Sequence, residues 1–196
     1  MRLLIDSTVL SNFAYTDSID VLVDTIGDPL LEDLETGAIT TGEVESELED
    51  GYEEGYDFLD NALKHLVPND DVPPSEDHPI HVDYTFTKLP HTLSHEVFEQ
   101  LDSGEATLLY TSIQYGEDLY ESSLIENNAP VPVATDDQDA CELAEEYDIP
   151  TLGSLSLLAE SVKSGQISTD TADDWLESWI EGNGYWSPID SIDEVL

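Results

Sequence analysis

The sequence predicts an α/β domain built on a central, mainly parallel sheet, and three observations predict it. Leu3 to Ile5, Ala38 to Thr41, Val131 to Thr135 and Ile149 to Thr151 are short apolar runs that read as buried strands. Between them lie segments whose apolar residues recur at three- and four-residue spacing, as on helices. The two patterns alternate along the chain, which is the order expected of strands joined by helical crossovers.

In chain order, the strand at Leu3 to Ile5 ends on Asp6, and Ser7 and Thr8 can cap the short helix read over Val9 to Ala14. Ile19, Leu22, Val23 and Ile26 make an amphipathic helix that Gly27 and Pro29 end. Thr40 or Thr41 opens a helix on which Glu43 and Glu47 share one face while Val44 and Leu48 face the core. Gly51 and Gly55 are expected to interrupt it, with Tyr52 to Leu66 continuing in helical fashion. Residues 67 to 93 form a proline- and aspartate-rich insertion, in which Ile80, Val82 and Tyr84 alternate with polar residues like a strand at a sheet edge. His78, His81, His91 and His95 fall in or just after it. His91 and His95 are four apart, but no glutamate follows His91, so surface histidines are expected rather than a zinc site.

Asp102 or Ser103 can cap the next helix, whose first turn holds Glu105 and whose buried stripe is Ala106, Leu109, Tyr110 and Ile113. The strand at Val131 to Thr135 ends in Asp136-Asp137-Gln138-Asp139 and leads into a helix through Ala140, Leu143, Ala144 and Tyr147. Leu155, Leu158, Ala159 and Val162 make a helix that closes at Gly165. Residues 166 to 196 read as a helical extension of the domain spanning 1 to 165. Trp175 and Trp179 stand four apart on its helix, most simply as core or docking residues, before a Gly182-Asn183-Gly184-Tyr185-Trp186 turn.

Charge dominates the composition. Against 46 Asp and Glu there are 4 Lys and Arg, a formal net charge of −42, yet 39% of the 196 residues are hydrophobic. That hydrophobic content is periodic, so the chain is expected to fold rather than to act as an acidic disordered tail. Acids spread over every segment fit a protein of molar salt, where the screening length falls to about 3 Å and self-repulsion is damped. A nucleic-acid mimic would instead concentrate its acids on one face. A single cysteine, Cys141, excludes an internal disulfide. Asp6 interrupts the first apolar run, and no run approaches the roughly 20 apolar residues of a membrane span, so a cytoplasmic protein is expected.

Candidate chemistry rests on where the acids fall. Asp6, Asp136 and Asp137 stand at strand ends, where ligands bind in parallel sheets, and Glu47 and Glu105 stand on early helical turns. Converging carboxylates repel one another and are held together by cations, and hard oxygen ligands suit Mg²⁺ or Mn²⁺. The competing reading of Asp6 is a strand end or a helix cap. A phosphoacceptor domain of the receiver type also clusters aspartates, but it wants a lysine just after a late strand, and neither late strand has one.

The residues around these acids carry a resemblance. Leu3-Leu4-Ile5-Asp6-Ser7-Thr8-Val9-Leu10-Ser11-Asn12, Thr40-Thr41-Gly42-Glu43-Val44-Glu45-Ser46-Glu47-Leu48, Ser103-Gly104-Glu105-Ala106 and Val133-Ala134-Thr135-Asp136-Asp137-Gln138-Asp139 follow in order. Together they resemble the PIN-domain family, metal-dependent ribonucleases that include VapC-type toxins. Ile149 to Leu155 and Lys163 to Ile167 look like a subgroup whose members end in this glycine-containing helix, and the likeness spans almost the whole chain outside residues 67 to 93.

The resemblance implies a PIN-like α/β/α sandwich with a C-terminal helical extension. It implies that Asp6, Glu47, Glu105 and Asp137 line a Mg²⁺ or Mn²⁺ site, with Asp136 competing for the last place and Asp139 in support. Ser7 and Thr135 would be polar neighbours of the metal or its water. The implied activity is endoribonuclease cleavage by the toxin of a toxin–antitoxin pair, with RNA as substrate and an antitoxin as partner. The alternative is a non-catalytic PIN-like subunit that binds nucleic acid or protein. A homodimer is expected from the family habit and from the apolar tail residues Trp175, Trp179, Tyr185 and Trp186. The chain departs from relatives with basic residues around the groove, having only Arg2, Lys64, Lys88 and Lys163, so tight RNA binding at low salt is not expected, while metals could still hold the scissile phosphate.

Overall fold

A computed structural model describes residues 2–27, 37–67, 78–84, 103–121 and 130–196. The elements run β1 (Arg2–Ile5), α1 (Ser7–Tyr15), α2 (Ile19–Ile26), β2 (Gly37–Thr41), α3 (Gly42–Glu53), a 3₁₀ turn (Asp57–Leu59), α4 (Asp60–Leu63) and β3 (Ile80–Asp83). They continue with α5 (Ser103–Glu121), β4 (Val133–Ala134), α6 (Gln138–Glu146), β5 (Thr151–Leu152), α7 (Ser154–Lys163), α8 (Thr169–Gly182) and a second 3₁₀ turn (Ile192–Glu194). The five strands form one all-parallel sheet in the order β3-β2-β1-β4-β5, with helices flanking it. This is an α/β sandwich consistent with the PIN-like architecture expected from the sequence.

The sheet is central because its strands are apolar on both faces. Leu3, Leu4 and Ile5 have no exposed surface, and all five residues of β2 are buried. In register, Leu4 lies between Ile39 and Val133, so the middle of β1 is covered on both edges. β4 is only two residues long. Pro132 has no N–H to donate, although its carbonyl still accepts from the Leu4 amide at 3.0 Å, which trims the ladder at its start. Pro150 does the same before β5, so the last strand begins at Thr151, two residues later than the run Ile149 to Thr151 suggested.

Most helical expectations agree with the structure, and two boundaries differ for identifiable reasons. Gly51 does not interrupt α3; it lies inside it, and a Cβ there would meet Leu59 Cδ1 at 2.7 Å. The missing side chain lets the 3₁₀ turn fold back over the helix. The break falls at Gly55, whose φ of +104° suits glycine. The first helix opens at Ser7, two residues early, with Asp6 rather than Ser7 or Thr8 as its N-cap. β3 lies at the sheet edge, as the alternation of Ile80 and Val82 predicted. His91, His95 and Asp102 lie outside the described residues.

The C-terminal helix is tied to the front of the chain. Trp179 of α8 is fully buried, its ring 5.1 Å from that of Phe13, and its Nε1 donates to Thr16 Oγ1 at 3.2 Å. Among the described residues no helix is long and apolar enough to cross a membrane.

Candidate functional site

The chain builds the sheet outward in two directions from β1, first through β2 to β3, then through β4 to β5. The order therefore reverses between β1 and β4, and in open parallel sheets the crevice beyond the carboxyl ends at such a switch point is where ligands bind. Asp6 leaves β1 there, and Thr135, Asp136 and Asp137 leave β4 there.

Asp6 is held on every side. Its Oδ1 accepts from the Ser7 amide at 2.8 Å, and its Oδ2 accepts from Thr8 Oγ1 at 2.7 Å and Thr135 Oγ1 at 2.9 Å. The same two hydroxyls reach back to the other strand. Thr8 Oγ1 accepts from the Asp136 amide at 3.3 Å, and Thr135 Oγ1 from the Asp137 amide at 3.1 Å. Thr40 of β2 adds a lock, donating to the Ile5 carbonyl at 2.8 Å. Asp6 is only 1% exposed. Burial raises its carboxyl above the usual range; the bonds from Thr8, Thr135 and Ser7 oppose this, and the nearby charge of Asp137 adds to it. Asp6 is thus both a helix cap and a buried acid facing like charge.

Asp136 is fixed by different elements. Its Oδ1 accepts from the Ser154 amide at 2.9 Å, at the start of α7, and its Oδ2 accepts from Ser154 Oγ at 2.5 Å and Asn12 Nδ2 at 3.1 Å. Burial again raises the carboxyl, and the charge of Asp6 contributes, against the bonds from Ser154 and Asn12. Gly153 makes room: a Cβ there would stand 2.9 Å from Asp136 Oδ1. Asp137 is the N-cap of α6, accepting from the Ala140 amide at 2.8 Å. Asp139 is exposed in the first turn of that helix.

The two glutamates form a second set. α3 packs on α5, and this brings the Glu47 carboxylate against the backbone of Gly104, where a Cβ would lie 2.8 Å from Glu47 Cδ. Glu47 thus occupies the N-terminal end of α5, one residue from Glu105, where the helix dipole favours negative charge. Both glutamates are half-buried.

The sequence-predicted acids therefore fall into two sets: Asp6, Asp136 and Asp137 neighbour one another at the ends of β1 and β4, and Glu47 lies against the backbone of Gly104, next in the chain to Glu105. Among the described residues, no three His, Cys, Asp or Glu side chains are grouped so that they could hold one ion. By donor type and charge the residues do fit a hard divalent cation. They offer oxygen only, they repel one another, and the described basic side chains are engaged elsewhere. Arg2 lies 5.6 Å over the Tyr115 ring, Lys64 pairs with Asp60, and Lys163 donates to the Val195 carbonyl.

Sequence reasoning placed none of Thr8, Asn12, Ser154, Asn183 and Tyr185 at the site. Asn12 left a signal, as an amide among Val9, Leu10 and Phe13 on a helix that is otherwise apolar where it is buried. Tyr185, half-buried, packs edge-on against Trp179 at 5.8 Å; its hydroxyl is raised by burial and then by the charge of Asp136. No pattern in the tail could have placed it near a residue so far back in the chain. No family model, curated protein or solved structure matches the chain.

Proposed function

We propose that the chain is a PIN-like, metal-dependent endoribonuclease that hydrolyses RNA phosphodiester bonds. The observation that carries this reading is the meeting of Asp6, Asp136 and Asp137 at the β1/β4 switch point, with like charge and no described lysine or arginine against them. Asp6, Glu47, Glu105 and Asp137 or Asp136 are the acids that would hold Mg²⁺ or Mn²⁺, with Asp139 in support. A divalent cation bound there would polarise the scissile phosphate and make a bound water acidic enough to attack it.

The chain's own part is positioning. Thr8 and Thr135 orient Asp6, Ser154 and Asn12 orient Asp136, and no side chain is needed as a covalent nucleophile. The charge of −42 fits a cytoplasmic protein of a halophile, whose RNA affinity does not rest on phosphate neutralisation by basic residues. Pairing with an antitoxin and homodimer formation through the tail belong to the same proposal.

A second reading has its own observation. The oxygens of Asp6 and Asp136 already accept protein hydrogen bonds, and no three described acids share one point. That favours a non-catalytic PIN-like subunit. Incubation of mixed RNAs with Mn²⁺ in molar KCl separates the two. The nuclease reading expects cleavage that falls at least about 100-fold in both Asp6→Asn and Glu105→Gln, since even outer-shell partners of a metal are worth 10–100-fold. Parental Mn²⁺-dependent cleavage in both variants would sink it. A parent that neither cleaves RNA nor melts higher with Mn²⁺ leaves the binding-subunit reading.

A further inference from the structure

We infer that Asn183, at the end of α8, is a positioning residue for the acid site, acting through Asn12 on Asp136. The inference rests on the nuclease reading for its catalytic meaning, but its geometry stands apart from it. Asn12 is 4% exposed and sits between two polar groups of opposite demand. Asn183 Nδ2 donates to its Oδ1 at 2.7 Å, while its own Nδ2 donates to Asp136 Oδ2 and to Ser154 Oγ, both at 3.1 Å.

Only one orientation of the Asn12 amide satisfies this arrangement. Reversed, its oxygen would face the Asp136 carboxylate and its NH₂ would face the NH₂ of Asn183. The contact with the carboxylate is repulsive and inside the protein is not relieved by water, whereas Asn183 can turn its own amide to match. Asp136 therefore sets which end of Asn12 it meets, and Asn183 braces that amide from its far end.

The delivery of Asn183 is built into α8. Trp179, four residues earlier, anchors the helix by packing on Phe13 and bonding to Thr16, all of it against α1. Trp179 and Asn183 lie about one turn apart on the same side of the helix, so the anchor fixes where the amide arrives. Asn183 Nδ2 also reaches Ser11 Oγ at 3.3 Å, and its backbone amide donates to the Trp179 carbonyl at 3.1 Å. Its φ of −102° is not left-handed, so the residue is not there as the usual positive-φ helix terminator.

The test uses the full chain without metal, then with Mn²⁺ alone. In the metal-free protein the side-chain NH₂ resonances of Asn12 are followed by ¹⁵N NMR in the parent, Asn183→Asp, Asn183→Ala and Glu181→Gln. Asn183→Asp keeps the shape and removes the donor, and Asn183→Ala serves should the added charge prevent folding. Glu181 is exposed and two residues away, so its change controls for general effects on the tail. We expect the Asn12 resonances to shift and lose protection from exchange in either Asn183 variant and to stay put in Glu181→Gln. Mn²⁺ affinity is expected to fall about 10–100-fold in the Asn183 variants, the usual worth of an outer-shell partner. Unchanged Asn12 resonances in a folded Asn183 variant would overturn the inference, as would parental Mn²⁺ affinity in it. A parent that binds no Mn²⁺ defeats the nuclease reading instead, and the Asn12 resonances still decide whether Asn183 braces the amide.

Discussion

Asp136 lies against Gly153 and Glu47 lies against Gly104, yet the two glycines make room for acids of different kinds. Asp136 is short, leaves the sheet at a fixed point, and is gripped by Ser154 and Asn12. Glu47 is half-buried on a helix and has one more torsion than Asp136 between its Cα and its carboxylate. The strand-end acid is placed by the fold itself. The helix-borne acid lies against the backbone of Gly104 at the end of α5. A site assembled from both kinds has a rigid half and a half with one more torsion in its arm.

Gly153→Ala is the harshest way to challenge that contrast. Its φ and ψ of −92° and 167° suit alanine, so the backbone is unstrained and only the new methyl matters. That methyl meets Asp136 Oδ1 at 2.9 Å and the Thr135 carbonyl at 3.9 Å. Asp136 can retreat only by giving up Ser154 or Asn12. We expect a loss of about 1–3 kcal/mol, typical of overpacking, in chemical denaturation. A loss under about 0.5 kcal/mol, the range of ordinary surface changes, would show that Asp136 is not rigidly held.

How much of this was readable beforehand follows the same division. β1 and the residues leaving β4 were legible because Leu3 to Ile5 and Val131 to Thr135 are apolar runs ending on acids, and a parallel sheet turns that pattern into position. The side-chain partners of the acids were not legible. Asn12, Ser154 and Asn183 meet across 142 and 171 residues of chain, and no local period encodes such contacts. Gly51 read as a helix breaker because its use, giving space to Leu59, is a tertiary matter. Asp6 could not be resolved into cap or site from the sequence, and the structure makes it a cap while burying it beside Asp136 and Asp137.

A gentler probe of the rigid half is pH. The Asp6 carboxyl is raised in the folded metal-free protein, by burial first. The folded state therefore keeps a proton that the unfolded chain releases near the ordinary aspartate value of about 3.9. The associated stability is fully present below that value and is lost as pH rises through the higher folded value. Asp6→Asn has no such proton to lose. Its melting temperature should gain on the parent's as pH is raised from about 4 toward neutrality. A difference that stays flat across that range would mean that Asp6 is not held in a costly charged state, and the rigid half would lose its energetic signature.

The smallest effect is expected at Gly104, and there the sign carries the information. Gly104 is buried in the first turn of α5, where replacing glycine by alanine gains at most about 1 kcal/mol of helix propensity. Against this, the new methyl would stand 2.8 Å from Glu47 Cδ and 2.9 Å from Oε2, so the carboxylate must leave its place over the first turn of α5. An acid at a helix N-terminus is worth about 0.3–1 kcal/mol, so displacing it roughly cancels the propensity gain. Gly104→Ala should therefore melt close to the parent. It should nonetheless weaken Mn²⁺ binding in titration calorimetry, because Glu47 is the acid it moves. A clear destabilisation, comparable to that of Gly153→Ala, would mean that Glu47 cannot swing aside and that the helix-borne acids are as tightly built in as the strand-end ones. A melting temperature and Mn²⁺ affinity both equal to the parent's would mean that the seat of Glu47 on Gly104 has no part in the site, and Glu105 would stand alone on that side.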